Sequence, residues 1–150
     1  MNRLVIGCLS FVLLCGCTSK RIEQKIRDRI EAQCKNGGDC IIRIKDITDF
    51  GWDKMFVFEY GVSQEQIEKA LGTPFPGYVE FTRRLVFLKT GKIIYSEDEP
   101  TDIEAPVNGM VSFGIDKADG YKVYTPDEAV FRAERNKFSK GIFYHLKPTQ

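Results

Sequence analysis

Histidine is almost absent from this chain, with His145 the only one among 150 residues. An H-E-x-x-H zinc motif is therefore impossible, and any histidine-dependent hydrolase would rest on that one side chain. His145 alternates with Phe143 and Lys147, which places it on a strand rim rather than in a metal or catalytic set. The patterns G-x-G-x-x-G, G-x-x-x-x-G-K-[ST] and G-x-S-x-G are also missing, so the sequence calls for no nucleotide, metal or other cofactor. Excess charge of one sign is lacking too: 22 Lys plus Arg stand against 21 Asp plus Glu. Phosphate binding needs a basic surface, so a general nucleic-acid role has no support. Internal repeats, low-complexity tracts and alternating β-α-β units are not seen, and without such units there is no parallel sheet with a nucleotide crevice.

What is present begins with the first seventeen residues. Arg3 and the amino terminus supply positive charge, Leu4 to Leu14 is apolar, and small residues surround Gly16, the layout of an export signal. As a helix, Leu4 to Cys17 would be about 21 Å long, against roughly 30 Å of hydrocarbon, so it is too short to span comfortably. Leu14-Cys15-Gly16-Cys17 resembles the lipobox of bacterial lipoprotein precursors. The resemblance implies cleavage before Cys17, a diacylglyceryl group on its sulfur and added acyl chains such as palmitate. Residues 1–16 are then a signal peptide and 17–150 a single periplasmic domain. Thr18 is not the aspartate that retains such proteins at the inner membrane, which implies an outer-membrane address facing the periplasm.

Removing residues 1–16 leaves 134, enough for one core and too few to expect two. Cys8 and Cys15 leave with the leader and Cys17 takes the lipid, so Cys34 and Cys40 remain in an oxidising compartment and are expected to pair. Their seven-residue loop carries Gly37 and Gly38. A redox role would favour C-x-x-C, and zinc would need soft ligands the chain lacks, so the bridge reads as structural.

Ile22, Ile26 and Ile30 recur four apart in a charged segment, predicting an amphipathic helix over 20–33 that packs on a sheet or lies against anionic headgroups. Strands are expected from Ile41 to Ile47 and over 54–60, the latter apolar on both faces and hence central. Ser63 with Gln66 makes a capping box and Gly72 a stop, which fixes a helix over 64–71. A hairpin turns at Thr90-Gly91, joining 78–88 to 92–96. Residues 97–106 carry five acids, Glu97, Asp98, Glu99, Asp102 and Glu104, with no base, and read as an exposed loop lacking the order of a calcium site. Residues 110–115 are expected to pair with 121–124 across Asp119-Gly120, a short helix to follow Thr125 and Pro126, and a strand to run over 138–146. Together these give an α+β domain: a mainly antiparallel sheet of about six to seven strands, with the N-terminal amphipathic helix and two short helices packed on it. A partly closed barrel or a sandwich is the alternative.

The segment Asp49-Phe50-Gly51-Trp52-Asp53, with the strand and helix that follow it to Gly72, resembles a pattern in uncharacterised bacterial envelope lipoproteins, which carries no known activity. Trp52 offers a large apolar body with one donor, suited to core anchoring or ligand contact. Arg83 shares a strand face with Phe81, Leu85 and Phe87, so its guanidinium needs a carboxylate, for which Asp53 is a candidate, or it marks a contact surface. The candidate binding surface is accordingly Trp52, Asp53, Phe75, Tyr78 and Arg83. The expected function is that of a lipid-anchored, non-catalytic envelope protein that binds another envelope protein, as inhibitor, immunity protein or accessory subunit. A small hydrolase using Asp53, Glu59 or Glu80, or a carrier of an apolar or lipid ligand, are the alternatives.

Overall fold

The computed structural model describes residues 20–34, 40–100, 107–115 and 118–149. The leader with Cys17, the middle of the Cys34–Cys40 loop, and Asp102 and Glu104 of the acidic run lie outside the described residues. Among the described residues, two α-helices and eight strands are arranged as α1 (Ile22–Gln33), β1 (Cys40–Arg43), β2 (Lys54–Phe58), α2 (Gln64–Leu71), β3 (Thr82–Lys89), β4 (Lys92–Pro100), β5 (Val111–Phe113), β6 (Tyr121–Tyr124), β7 (Val130–Phe138) and β8 (Gly141–Pro148), with a 3-10 helix over Ile44–Asp46 that ends β1 short of the expected Ile47.

The strands form two four-stranded sheets, ordered β1-β7-β8-β5 and β4-β3-β2-β6. All pairs are antiparallel except β5 with β8. The fold is α+β, but its eight strands in two sheets replace a single sheet of six or seven. A sheet must cover its apolar faces, and β2 and β3 have two. Met55, Val57, Leu85 and Phe87 point into a main core that also holds Ile42, Phe113, Phe131 and Leu146 of the other sheet and Ile22, Ile26 and Ile30 of α1. Phe56, Phe58, Val86 and Leu88 point the opposite way, into a second core closed by Ile67 and Leu71 of α2 together with Phe75.

Local signals built α2. The Ser63 hydroxyl accepts from the Gln66 amide at 3.3 Å, the Gln66 side chain accepts from the Ser63 amide at 2.9 Å, and Gly72 closes the helix at φ 70°. The same chemistry at Thr125 stopped after one turn. Both the amide and the hydroxyl of Thr125 donate to the Glu128 carboxylate at 2.9 Å, but Val130 and Phe131 then enter β7 and pair with Arg43 and Ile42. The expected third helix is therefore absent from the described residues: cross-strand pairing of β-branched and aromatic side chains outweighs a marginal helix.

Two further expectations are overturned. Val111–Phe113 does not pair with Tyr121–Tyr124; β5 lies beside β8 in one sheet and β6 beside β2 in the other. Residues 97–100 are not an exposed loop but the end of β4, paired with Thr82 to Leu85 of β3. Cys34 and Cys40 are bridged, with Cα atoms 5.6 Å apart, tying the end of α1 to the start of β1.

Candidate functional site

The register of the β3–β4 hairpin brings unlike charges into line. A bulge at Phe87/Leu88 leaves Ile94 unpaired and sets Arg83 opposite Glu99 and Arg84 opposite Asp98. The two arginines point to opposite faces. Arg84 is 2% exposed in the smaller core, bonded to the Asp98 carboxylate, the Val79 carbonyl (3.0 Å) and the Thr82 hydroxyl (3.1 Å). Its guanidinium lies 4.8 Å from the centre of the Phe75 ring and 5.1 Å from that of Tyr78. A charge this buried is tolerable because each of these groups answers it.

Arg83 faces the main core and the gap between the sheets. It pairs with Glu99 at 3.1 Å and donates to the Val111 carbonyl at 3.3 Å. Beside it the N-terminus of α1 is anchored by β4: the Glu97 carboxylate accepts from the amides of Ile22 (2.8 Å) and Glu23 (3.0 Å), and from the Tyr95 hydroxyl. Arg21 donates to the Asp98 carbonyl at 2.7 Å. Burial raises the pKa of Glu99 to about 8; Arg83 opposes this and the neighbouring Glu23 carboxylate adds to it. Glu59, at the end of β2, is likewise pushed up by burial, against the pull of Arg83.

Arg83 and Glu59 line a cleft of about 760 Å³, within the size range of ligand sites. Ser112 to Ile115 and His145, Lys147 and Pro148 also line it. Ser112 Oγ and His145 Nδ1 are 2.9 Å apart, and burial with Lys147 nearby lowers the histidine pKa, favouring neutral imidazole. A Cβ on Gly114 would lie 3.0 Å from His145 Nε2, so the bare backbone there lets the ring lie against the strand. Glu134, opposite His145 on β7, is engaged by Lys147 at 2.9 Å. Among the described residues no group of three or more His, Cys, Asp or Glu side chains is placed to hold a metal ion.

Of the expected surface residues, only Arg83 lines this cleft. Trp52 is buried, its ring 5.2 Å from that of Phe87 and its Nε1 donating to Thr48 Oγ1 at 3.1 Å, so it is a core anchor. Phe75 is buried against Arg84, and the half-buried Tyr78 donates to the Val62 carbonyl at 3.1 Å. Asp53 does not meet Arg83; it accepts from the Thr90 amide and pins the hairpin turn. Asp53 and Glu59 bracket β2 and stand about 20 Å apart at strand rise, while Glu80 is exposed on a turn. A glycosidase pair needs separations of about 5 to 10 Å, which Asp53 and Glu59 do not provide.

The exposed aromatic surface lies elsewhere. Phe81 is 62% exposed and Val79 52%, and the Phe81 ring sits 5.5 Å from that of Tyr60. Phe81 also has φ 56°, a left-handed conformation that is costly for a bulky L-residue. It lies in the turn just before β3, two residues before Arg83, and Tyr60 follows Glu59, so the patch is next in sequence to two residues that line the cleft. The sequence carried a usable signal for the acidic half of the site, since Arg83-Arg84 and Glu97-Asp98-Glu99 flank one hairpin. No family model, no curated protein and no solved structure matches this chain.

Proposed function

We propose that this chain is a lipid-anchored envelope protein, held through Cys17 at the outer membrane facing the periplasm, which acts without catalysis by binding another envelope protein. The observation that carries the binding reading is Phe81: a bulky residue held at positive φ and left largely in water. Backbone strain and exposed aromatic area both cost stability, and such features persist where function uses them. Aromatic side chains also dominate the energy of protein interfaces, and Tyr60 and Phe81 are neighbours here. An inhibitor and an accessory subunit would use this surface alike. The polar lining of Glu59, Arg83, His145 and Lys147 suits a polar ligand better than a lipid.

A photo-crosslinking amino acid placed at Phe81 in intact cells should yield a discrete protein adduct, and the same probe at the exposed Lys92, the first residue of β4, should not. Equal labelling from both positions, or none from either, would overturn the binding surface. Cys17→Ser should move the protein from the membrane to the soluble fraction, and unchanged membrane retention would refute the anchor.

A further inference from the structure

The start of α1 and the exposed aromatic patch lie at the same end of the β3–β4 hairpin. Glu97 and Asp98, near the end of β4, hold the first turn of α1: the Glu97 carboxylate accepts from the Ile22 and Glu23 amides, and Arg21 donates to the Asp98 carbonyl. In the hairpin register Asp98 stands opposite Arg84, and Pro100 opposite Thr82, the residue after Phe81. Arg84 also donates to the Val79 carbonyl at 3.0 Å, which ties the turn before β3 to the same place. The chain thus enters the fold at the open end of the hairpin, the end that carries the exposed Val79, Phe81 and Tyr60. The closed end, at Thr90-Gly91, is about 25 Å away along the eight residues of β3. Only Thr18 and Ser19 separate Cys17 from Lys20, so three residue steps, at most about 11 Å of chain, join the lipid-bearing position to the described domain.

We infer that the partner is a protein embedded in the same bilayer, which meets the Val79–Phe81 turn at the membrane surface with apolar groups for Phe81 and Tyr60 and a cationic or hydrogen-bond-donating group for Glu80. The inference deepens the binding reading above and rests on it and on the Cys17 anchor. A tether this short holds the open end of the hairpin at the bilayer, with the patch beside it. Glu80 argues against lipid as the occupant. It is exposed and stands between the two apolar residues of the turn, so sinking Val79 and Phe81 into hydrocarbon would drag a carboxylate with them, which is costly. A protein surface can answer that carboxylate while it covers the aromatics. Confinement supplies the rest: two proteins held in one membrane, one of them on a short tether, meet at a high effective concentration, so a patch of two aromatic rings and a valine is enough. A partner free in the periplasm would gain nothing from this placement.

The test repeats the Phe81 photo-crosslink in intact cells with the full chain and with a full chain whose tether is lengthened between Ser19 and Lys20 by about forty glycine and serine residues, a coil of roughly 35 Å. The parent should give a protein adduct whose partner, identified by mass spectrometry, resists alkaline extraction from the membranes of cells lacking this chain. The long tether should lower the adduct yield at least threefold at equal protein level, and Glu80→Lys with the tether unchanged should do the same. Placement has a readout of its own that needs no partner: in lipid nanodiscs, a fluorophore at Val79 should be quenched by headgroup-labelled lipid at least twofold more than one at Lys92. A partner extracted by alkali, an adduct yield unchanged by the long tether or by Glu80→Lys, or equal quenching from Val79 and Lys92 would overturn the embedded partner and leave the binding reading standing. A phospholipid adduct in place of a protein, or no adduct from any of the chains, would bring down both.

Discussion

Replacing Phe81 separates a residue kept for stability from one kept for contact. In the left-handed region an L-residue pays about 1–2 kcal/mol that glycine does not, while glycine's greater chain entropy in the unfolded state returns about 0.5–1 kcal/mol. The Phe81 ring is 62% exposed, so truncation gives up mainly its contact with Tyr60, worth about 0.5–1.5 kcal/mol where such pairs are well packed and less on the surface. Phe81→Ala loses that contact and keeps the strain; Phe81→Gly loses the contact and releases the strain. The glycine variant should therefore be the more stable of the two by roughly 0.5–1 kcal/mol, reversing the order found at ordinary φ. It should lie within about 1 kcal/mol of the parent. Urea unfolding followed by tryptophan fluorescence suits the measurement, because Trp52 is the only tryptophan and sits in the main core. With the photo-crosslinking residue moved to the exposed Val79, both variants should lose the crosslinked partner in cells. An alanine variant as stable as glycine would refute the strain, and a glycine variant that keeps full partner capture would refute its use in binding.

Arg84→Met should destabilise the fold by about 3–5 kcal/mol, since it strands the Asp98 carboxylate and two polar groups in the smaller core, and chemical denaturation should show it. Asp98→Asn should cost less, because its side chain is 25% exposed and the amide keeps one acceptor. Glu99 gives a pH dependence of defined sign: its folded pKa lies near 8, above the unfolded value, so the neutral acid is the form that favours folding. Its contribution is full below about pH 4.5 and is lost as the pH rises through 8. Stability of the parent should fall between about pH 4.5 and 8, and Glu99→Gln should flatten that fall in thermal melts at matched ionic strength. Cys34→Ser should lower the midpoint by several degrees in oxidising buffer, because a loop closed over six positions is worth about 2 kcal/mol. Equal midpoints would show the bridge to be without effect.

Much of the fold was legible where the controlling chemistry is local. The Ser63–Gln66 capping box and Gly72 fixed α2, the isoleucine spacing marked the buried stripe of α1, and apolar residues on both faces marked β2 as an inner strand. Legibility ended where a choice depended on distant partners. A run of acids without bases reads as a solvated loop; Arg21, Arg83 and Arg84 reach it only through α1 packing and the hairpin register. Thr125 and Glu128 cap a turn in either outcome, and whether a helix follows is decided by β1 waiting to pair. Asp119-Gly120 is a sound reversal, but a turn signal cannot say to which of two sheets each flanking strand belongs.

The candidate site shows the same division. Residue types alone determined the poverty of catalytic sets, the Cys34–Cys40 bridge and the need of Arg83 for an acid, because these follow from side-chain chemistry and short spacing. The tertiary structure alone decided which acid that is, since the bulge at Phe87/Leu88 advances the register by one and aligns Glu99 rather than Asp98 with Arg83. It also decided which aromatics stay in water: burial of Trp52 and Phe75 and exposure of Phe81 depend on where two sheets and a helix meet. Periodicity along one segment holds no information about that meeting, because apolar side chains are buried by surfaces that come from elsewhere in the chain.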